Sequence, residues 1–235
     1  MIELAPAVAT FAQEIQDLLD ATLQYGCDAT EDELRIKVLP WNSRYVVRSG
    51  PSEKLAGVPL YFDGKRVAKL EIEYHCDFDT SRDFLAVRKS KVQLSSLKKE
   101  DPLFRLDYQH GCDSVPDAHW NIHAERGALS ALLDRTNPKH SGKLSKVHFS
   151  VGGSRHRPCL EDVLDMLLRE FRIDQHPNAD VAVAEGRERW RSTQIKVLVR
   201  DAPELAASTL VALGYTVTPP EAGPRPTDVE KLRQP

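Results

Sequence analysis

Between Leu70 and Phe78 the apolar side chains fall on every second residue: Leu70, Ile72, Tyr74, Cys76 and Phe78. A period of two belongs to a strand with one face buried and the other wetted, and no helix satisfies it. The dipeptide Asp63-Gly64, suited to positive φ in a tight turn, joins this run to a second one at 58–62, so the pair reads as a β-hairpin. Leu34, Ile36 and Val38 alternate with Glu33, Arg35 and Lys37 in the same way. Further runs at 84–94 and 103–109 complete an antiparallel meander of about four or five strands.

A sheet with one apolar face must be covered. Residues 6–25 supply the cover, with Val8, Phe11, Ile15, Leu18, Leu19 and Leu23 at three- and four-residue spacing on one side of a helix. Pro6 suits the first turn of that helix, and Gly26 suits its end.

Beyond residue 115 the pattern changes. The spacing predicts a helix over 119–134, a strand over 146–151 and a core helix over 158–172, where Leu160, Val163, Leu164, Leu167, Leu168 and Phe171 share a face. The polar stretch 173–190 reads as a long loop with a short helix around Val181–Glu188. Ile195, Val197 and Val199 read as a strand, Asp201 and Pro203 open a helix that Gly214 stops, and Tyr215–Thr218 return as a strand. The fold class is therefore α+β: an N-terminal helix and antiparallel β-meander, followed by an αβαβαβ C-terminal half. The expected division is 1–115, 116–218 and a proline-rich, disordered tail over 219–235.

Composition bounds the function. With 41% hydrophobic and 29% charged residues the chain is of ordinary globular type. No apolar run reaches the roughly 18–20 residues of a bilayer span, and the N-terminus has no secretory pattern, so a soluble protein of the cytosol is expected, with no membrane partner. Cys27, Cys76, Cys112 and Cys159 lie too far apart for a zinc ribbon or a dense disulfide framework, and read as reduced thiols. A net charge of −3 gives no global attraction to nucleic acid; any anionic partner must be recognised locally.

Two segments carry candidate chemistry. In the first, Tyr108 to Asp113 precedes Asp117 to Arg126. A helix there would put His119 and His123 one turn apart, able to offer two imidazoles to a divalent metal such as zinc, with His110 as a third ligand and Cys112, Asp113 or His148 nearby. Cys112 is also a candidate nucleophile, its thiolate stabilised by His110, His119 or His123. The pattern is not H-E-x-x-H, and against it stands the plainer reading of histidines that cap or flank a helix.

In the second segment a strand runs through Gly152, Gly153, Ser154, Arg155, His156 and Arg157 into a helix with Pro158 in its first turn. Glycines let backbone N–H groups approach an anion, a helix N-terminus carries partial positive charge, and two arginines can grip phosphate or carboxylate. The plainer reading pairs those arginines with Glu161, Asp162 or another subunit. Arg187, Arg189, Trp190 and Arg191 form a smaller mixture of charge and aromatic ring that suits nucleic acid, diluted by Glu185 and Glu188.

The anion loop needs only local residues, whereas a catalytic set needs unmeasured distances. The sequence therefore favours a binding protein for a nucleotide, nucleic acid or acidic partner through Gly152–Arg157. The alternative is a metal-assisted or thiol-dependent hydrolase centred on Cys112, His119 and His123. Oligomeric state is open.

Overall fold

A computed structural model describes residues 3–50, 56–79, 82–97, 102–111, 115–124, 147–151, 153–223 and 225–233. The chain runs through helix α1 (Leu4–Thr22), the short α2 (Glu31–Leu34), and strands β1 (Ile36–Trp41), β2 (Arg44–Ser49), β3 (Val58–Phe62), β4 (Lys65–Phe78), β5 (Leu85–Ser96), β6 (Pro102–Gln109), β7 (Ala118–Ile122) and β8 (Phe149–Ser150). Then come the single turn α3 (Gly153–His156) and helices α4 (Leu160–Glu170), α5 (Ala179–Asp201), α6 (Pro203–Ala212) and α7 (Val229–Arg233). No helix among the described residues is long and apolar enough to cross a membrane.

The molecule is mixed α+β, with an eight-stranded antiparallel sheet in the order β1-β2-β4-β5-β6-β7-β8 and β3 paired to β4. Strand β4 organises it. One of its edges pairs with β3 over its first half and β2 over its second, and the other edge pairs with β5 along nearly its whole length. The Asp63-Gly64 turn has φ of 51° and 69°, as a two-residue hairpin requires. Asp174 holds it from a distance: the Asp63 and Gly64 N–H groups donate to Asp174 Oδ1 and Oδ2 at 2.9 and 2.8 Å.

One face of the sheet is apolar in consecutive cross-strand rows, Leu70 beside Leu94 and Phe104, then Ile72 beside Val92 and Leu106. Helix α1 covers it with Val8, Ile15 and Leu19, and α4 adds Val163, Leu164 and Leu167; all belong to one buried cluster. The other face carries a row of alternating charge, Arg48, Glu73, Lys91 and Asp107, on four neighbouring strands, with His119 next in line on β7.

Several sequence expectations change. Helix α1 ends at Thr22, before Gly26, because Leu23 bridges to Gln175 and the Gln24 N–H donates to the Asp174 carbonyl, which pulls the chain into an extended path. The segment from His119 that helical spacing suggested begins as strand β7, and 125–134 lie outside the described residues. Its sequence also has a period of two: Trp120 turns to the core and packs edge-on against Phe104 with centroids 5.5 Å apart, while His119 and Asn121 pair with Asp107 and Arg105 of β6. Residues 146–151 contribute the two-residue strand β8.

Residues 179–201 form one 23-residue helix, so the loop at 173–190 is short and the strand at Ile195–Val199 is a helix. Ile195 and Val199 are exposed, one turn apart, and Val197 faces the sheet side; a helix already running from Ala179 extends through them. After α6 and Gly214 (φ 91°) the residues Tyr215–Thr218 are irregular. Hence the αβαβαβ order does not describe the C-terminal half.

Candidate functional site

Where α1 and α5 part above the sheet they leave a cleft of about 930 Å³ over β4, β5 and β6, closed at one end by residues 155–161. Its size is that of a small-molecule site. On its floor the apolar rows give way to Tyr74, Ser90 and Tyr108, which are direct cross-strand neighbours. Burial pushes the pKa values of both tyrosine hydroxyls up, so they remain neutral donors at physiological pH. Phe11 of α1 packs edge-on against Tyr74 with centroids 5.2 Å apart.

The wall is cationic. Arg88, Arg155, Arg157, Arg189, Arg200 and Arg225 line the cleft, against the carboxylates of Glu14, Asp79, Glu161 and Asp201. The Arg157 guanidinium carbon lies over the Tyr108 ring, 3.9 Å from its centroid, and 5.9 Å from the Trp190 centroid. Desolvation pulls its pKa down, yet a guanidinium keeps its charge at any ordinary pH. Arg200 covers Phe84 at 3.9 Å, and Arg88 donates to the Phe78 carbonyl at 2.8 Å. Arg155 has a structural partner, since its Nε donates to Asp201 Oδ2 at 2.8 Å, 46 residues away.

The expected Gly152–Arg157 loop therefore divides. Gly153 to His156 form the turn α3, His156 points to solvent, and Gly152 lies outside the described residues. Arg157 reaches the cleft floor and Arg155 tethers α3 to the end of α5. The following helix terminus is already occupied. Asp162 Oδ2 accepts from the Cys159 N–H at 3.1 Å, and both Glu161 and Asp162 stand in the first turn of α4, where they satisfy its positive end. Glu161 in turn packs against Gly186 of α5, where a Cβ would lie 2.7 Å from Oε1, so glycine there lets the two helices approach.

The histidine segment lies elsewhere. His119 is on the opposite face of the sheet, nearly buried, with Nδ1 2.7 Å from the Pro116 carbonyl and Nε2 3.7 Å from Asp107 Oδ2. Its ring stands edge-on to His148, with centroids 4.5 Å apart. His123 follows β7 four residues on, which in extended chain is roughly 13 Å away, not one helical turn. His110 sits at the β6–β7 turn, on the cleft side, with Nδ1 3.6 Å from Asp117 Oδ2. Cys112 and Asp113 lie outside the described residues. Among the described residues no group of three or more His, Cys, Asp or Glu side chains is placed to hold a metal ion. Burial pushes the Cys76 thiol up to about 12 and the Cys159 thiol higher still, so neither is a thiolate nucleophile at neutral pH.

Trp190 belongs to the cleft, with Arg189 beside it, while Arg187 pairs with Asp162 at 2.7 Å and Asp165 at 3.3 Å. Sequence reasoning placed Tyr74 in the core and passed over Ser90, Arg88 and Arg200. Ser90 carried the one linear signal, a small polar residue at an inward position of an alternating strand. Comparison with protein-family models, curated proteins and solved structures finds no match.

Proposed function

We propose that the protein binds an anionic ligand in the cleft between α1, the sheet and α5, with Arg157 as its principal contact. One observation carries this reading: six arginines from four separated stretches of chain converge on a single cleft that only four carboxylates line. Stacking on Tyr108 and Trp190 fixes the plane of the Arg157 guanidinium and reduces the side-chain entropy lost on binding. A half-enclosed floor makes each charge-assisted hydrogen bond stronger than it would be in water. The enclosed volume favours a small molecule over a nucleic acid strand, and the unbridged thiols of Cys27, Cys76 and Cys159 suit a reducing compartment.

The two arginines of the original loop separate binding from folding. Arg157→Gln should weaken an anionic ligand about tenfold or more, the usual weight of one hydrogen bond to a charged group. Arg155→Gln should instead lower the melting temperature, because it removes the ion pair with Asp201 that ties α3 to the end of α5. Titration of phosphate, ATP and dicarboxylates, followed by Trp190 fluorescence, reads the first effect and thermal denaturation the second. The reading fails if none of these anions, nor an alkyl acid, binds the wild-type protein, or if binding ignores Arg157.

A further inference from the structure

On the helix-facing side of the sheet one row breaks an otherwise apolar pattern. Leu70, Leu94 and Phe104 lie side by side across β4, β5 and β6, and so do Ile72, Val92 and Leu106; the next row is Tyr74, Ser90 and Tyr108. Adjacent strands are about 4.8 Å apart, so these three hydroxyl-bearing side chains surround one small volume. Ser90 is 8% exposed and Tyr108 5%. Among the described residues, none of the three hydroxyls has a hydrogen-bond partner. Three hydroxyls in a row on an otherwise apolar floor, opening into a cleft, suit a guest that brings acceptors.

Chemistry narrows the guest. The floor supplies hydroxyl donors and the Arg157 guanidinium, 3.9 Å over the Tyr108 ring, so the matching group is an oxyanion. Immediately beside this row the cleft is lined by Val92 and Leu106 from the sheet and by Phe11, Ile15 and Leu18 from α1, which offer nothing polar. A fully polar anion would leave that surface without use, and a neutral apolar molecule would make no use of the hydroxyls.

We infer that the cleft takes a small amphiphilic acid, its carboxylate or phosphate-ester head on Tyr74, Ser90, Tyr108 and Arg157, and its aliphatic or aromatic body between α1 and the Val92–Leu106 row. This rests on the anion-binding reading above and adds the apolar half of the ligand.

Calorimetric titration of the full chain with decanoate, decyl phosphate, decanol, acetate and inorganic phosphate, each below its micellar concentration, tests it. The better of the two decyl acids should bind at least about 100-fold tighter than its short counterpart, since each buried methylene adds to affinity. It should also bind at least about tenfold tighter than decanol. Tyr74→Phe, Tyr108→Phe and Ser90→Ala should each weaken that acid by about tenfold and leave the melting temperature unchanged, because an unpartnered hydroxyl holds nothing together. If inorganic phosphate or ATP binds through Arg157 but a decyl chain adds nothing, the amphiphile is wrong and the anion reading survives. If decanol binds as well as the decyl acids while acetate and inorganic phosphate do not bind, or if none of the ligands binds, both fall. A drop of several degrees in melting temperature for the hydroxyl variants, with affinity intact, would show that those groups serve the fold and would overturn the inference.

Discussion

Arg66 and Glu33 meet through two parallel hydrogen bonds, Nη1 to Oε1 and Nη2 to Oε2, each 3.0 Å, while the Thr30 N–H and hydroxyl donate to the same carboxylate at 3.0 Å. The Arg66 hydrogen bonds hold the Glu33 pKa down from 4.5 to about 2. A depressed folded-state pKa means that the unfolded chain takes up a proton first as the solution is acidified. The pair's stabilisation is therefore complete above about pH 4.5 and drains away as the pH falls toward 2. Both side chains are about one quarter exposed, so solvent screening keeps the gain modest. Glu33→Gln should flatten the stability profile between pH 4.5 and 2, measured by urea denaturation at stepped pH, without changing its shape above pH 6. An unchanged acid limb would mean that Glu33 and Arg66 are not paired in solution. The Thr30-x-x-Glu33 spacing is a capping-box signature, but the alternation that begins at Glu33 and Leu34 reads as strand, whereas these two residues end α2 and the strand starts at Ile36; the link to Arg66, 33 residues on, leaves no linear trace.

At the scale of elements, the polar face of the sheet offers a sharper test than the core. In the row Arg48, Glu73, Lys91, Asp107, each charge faces an opposite one on the neighbouring strand. Cross-strand pairs of this kind contribute about 0.2–1 kcal/mol each, and like charges directly opposite cost similar amounts. Lys91→Glu would set three carboxylates side by side, so it should destabilise by about 1–2 kcal/mol in urea denaturation, with Lys91→Gln costing less than half as much; equal costs would show that charge order is irrelevant there. What the sequence conveyed about elements follows the strength of their periodicity. In β4, with five inward apolar residues, and α4, with one clean stripe, the pattern left no competing choice. In β7 the residues His119 and Asn121 alternate with Trp120 and Ile122 over too short a span to outweigh the helical spacing of two histidines. In α5 the chance alternation of Ile195, Val197 and Val199 imitated a strand, because half of that helix is exposed and carries no stripe to contradict it. The site suffered more. Arg155, Arg157 and Trp190 stood out by composition, but the row of Tyr74, Ser90 and Tyr108 exists only through the register of three strands, which linear spacing does not contain.

Taken as a whole molecule, the chain joins its two halves by the β6–β7 pairing of Phe104 to Tyr108 with Ile122 to Ala118, by the contacts of Asp174 and Gln175 with residues 23–24 and 63–64, and by a buried cluster that mixes Val8 of α1 and Ile72 of β4 with Leu164 of α4 and Val183 of α5. A core shared in this way cannot be lost from one half while the other keeps its packing, since the apolar face of the sheet would then be open to water. Leu164 is fully buried in that cluster. Leu164→Ala should therefore cost about 2–5 kcal/mol, as large-to-small substitutions in cores do, and should lower the stability of residues before and after position 115 together. Amide hydrogen exchange measures both halves in one experiment. In β4 and in α4 the slowest amides should lose protection by the same free energy, and the denaturant transition should stay single. If the β4 amides keep their wild-type protection while α4 opens, residues 1–115 are an independent folding unit and the shared core does not couple them. Ligand in the cleft, which touches α1, β4 to β6, α4 and α5 together, should then raise the protection of all of them in step.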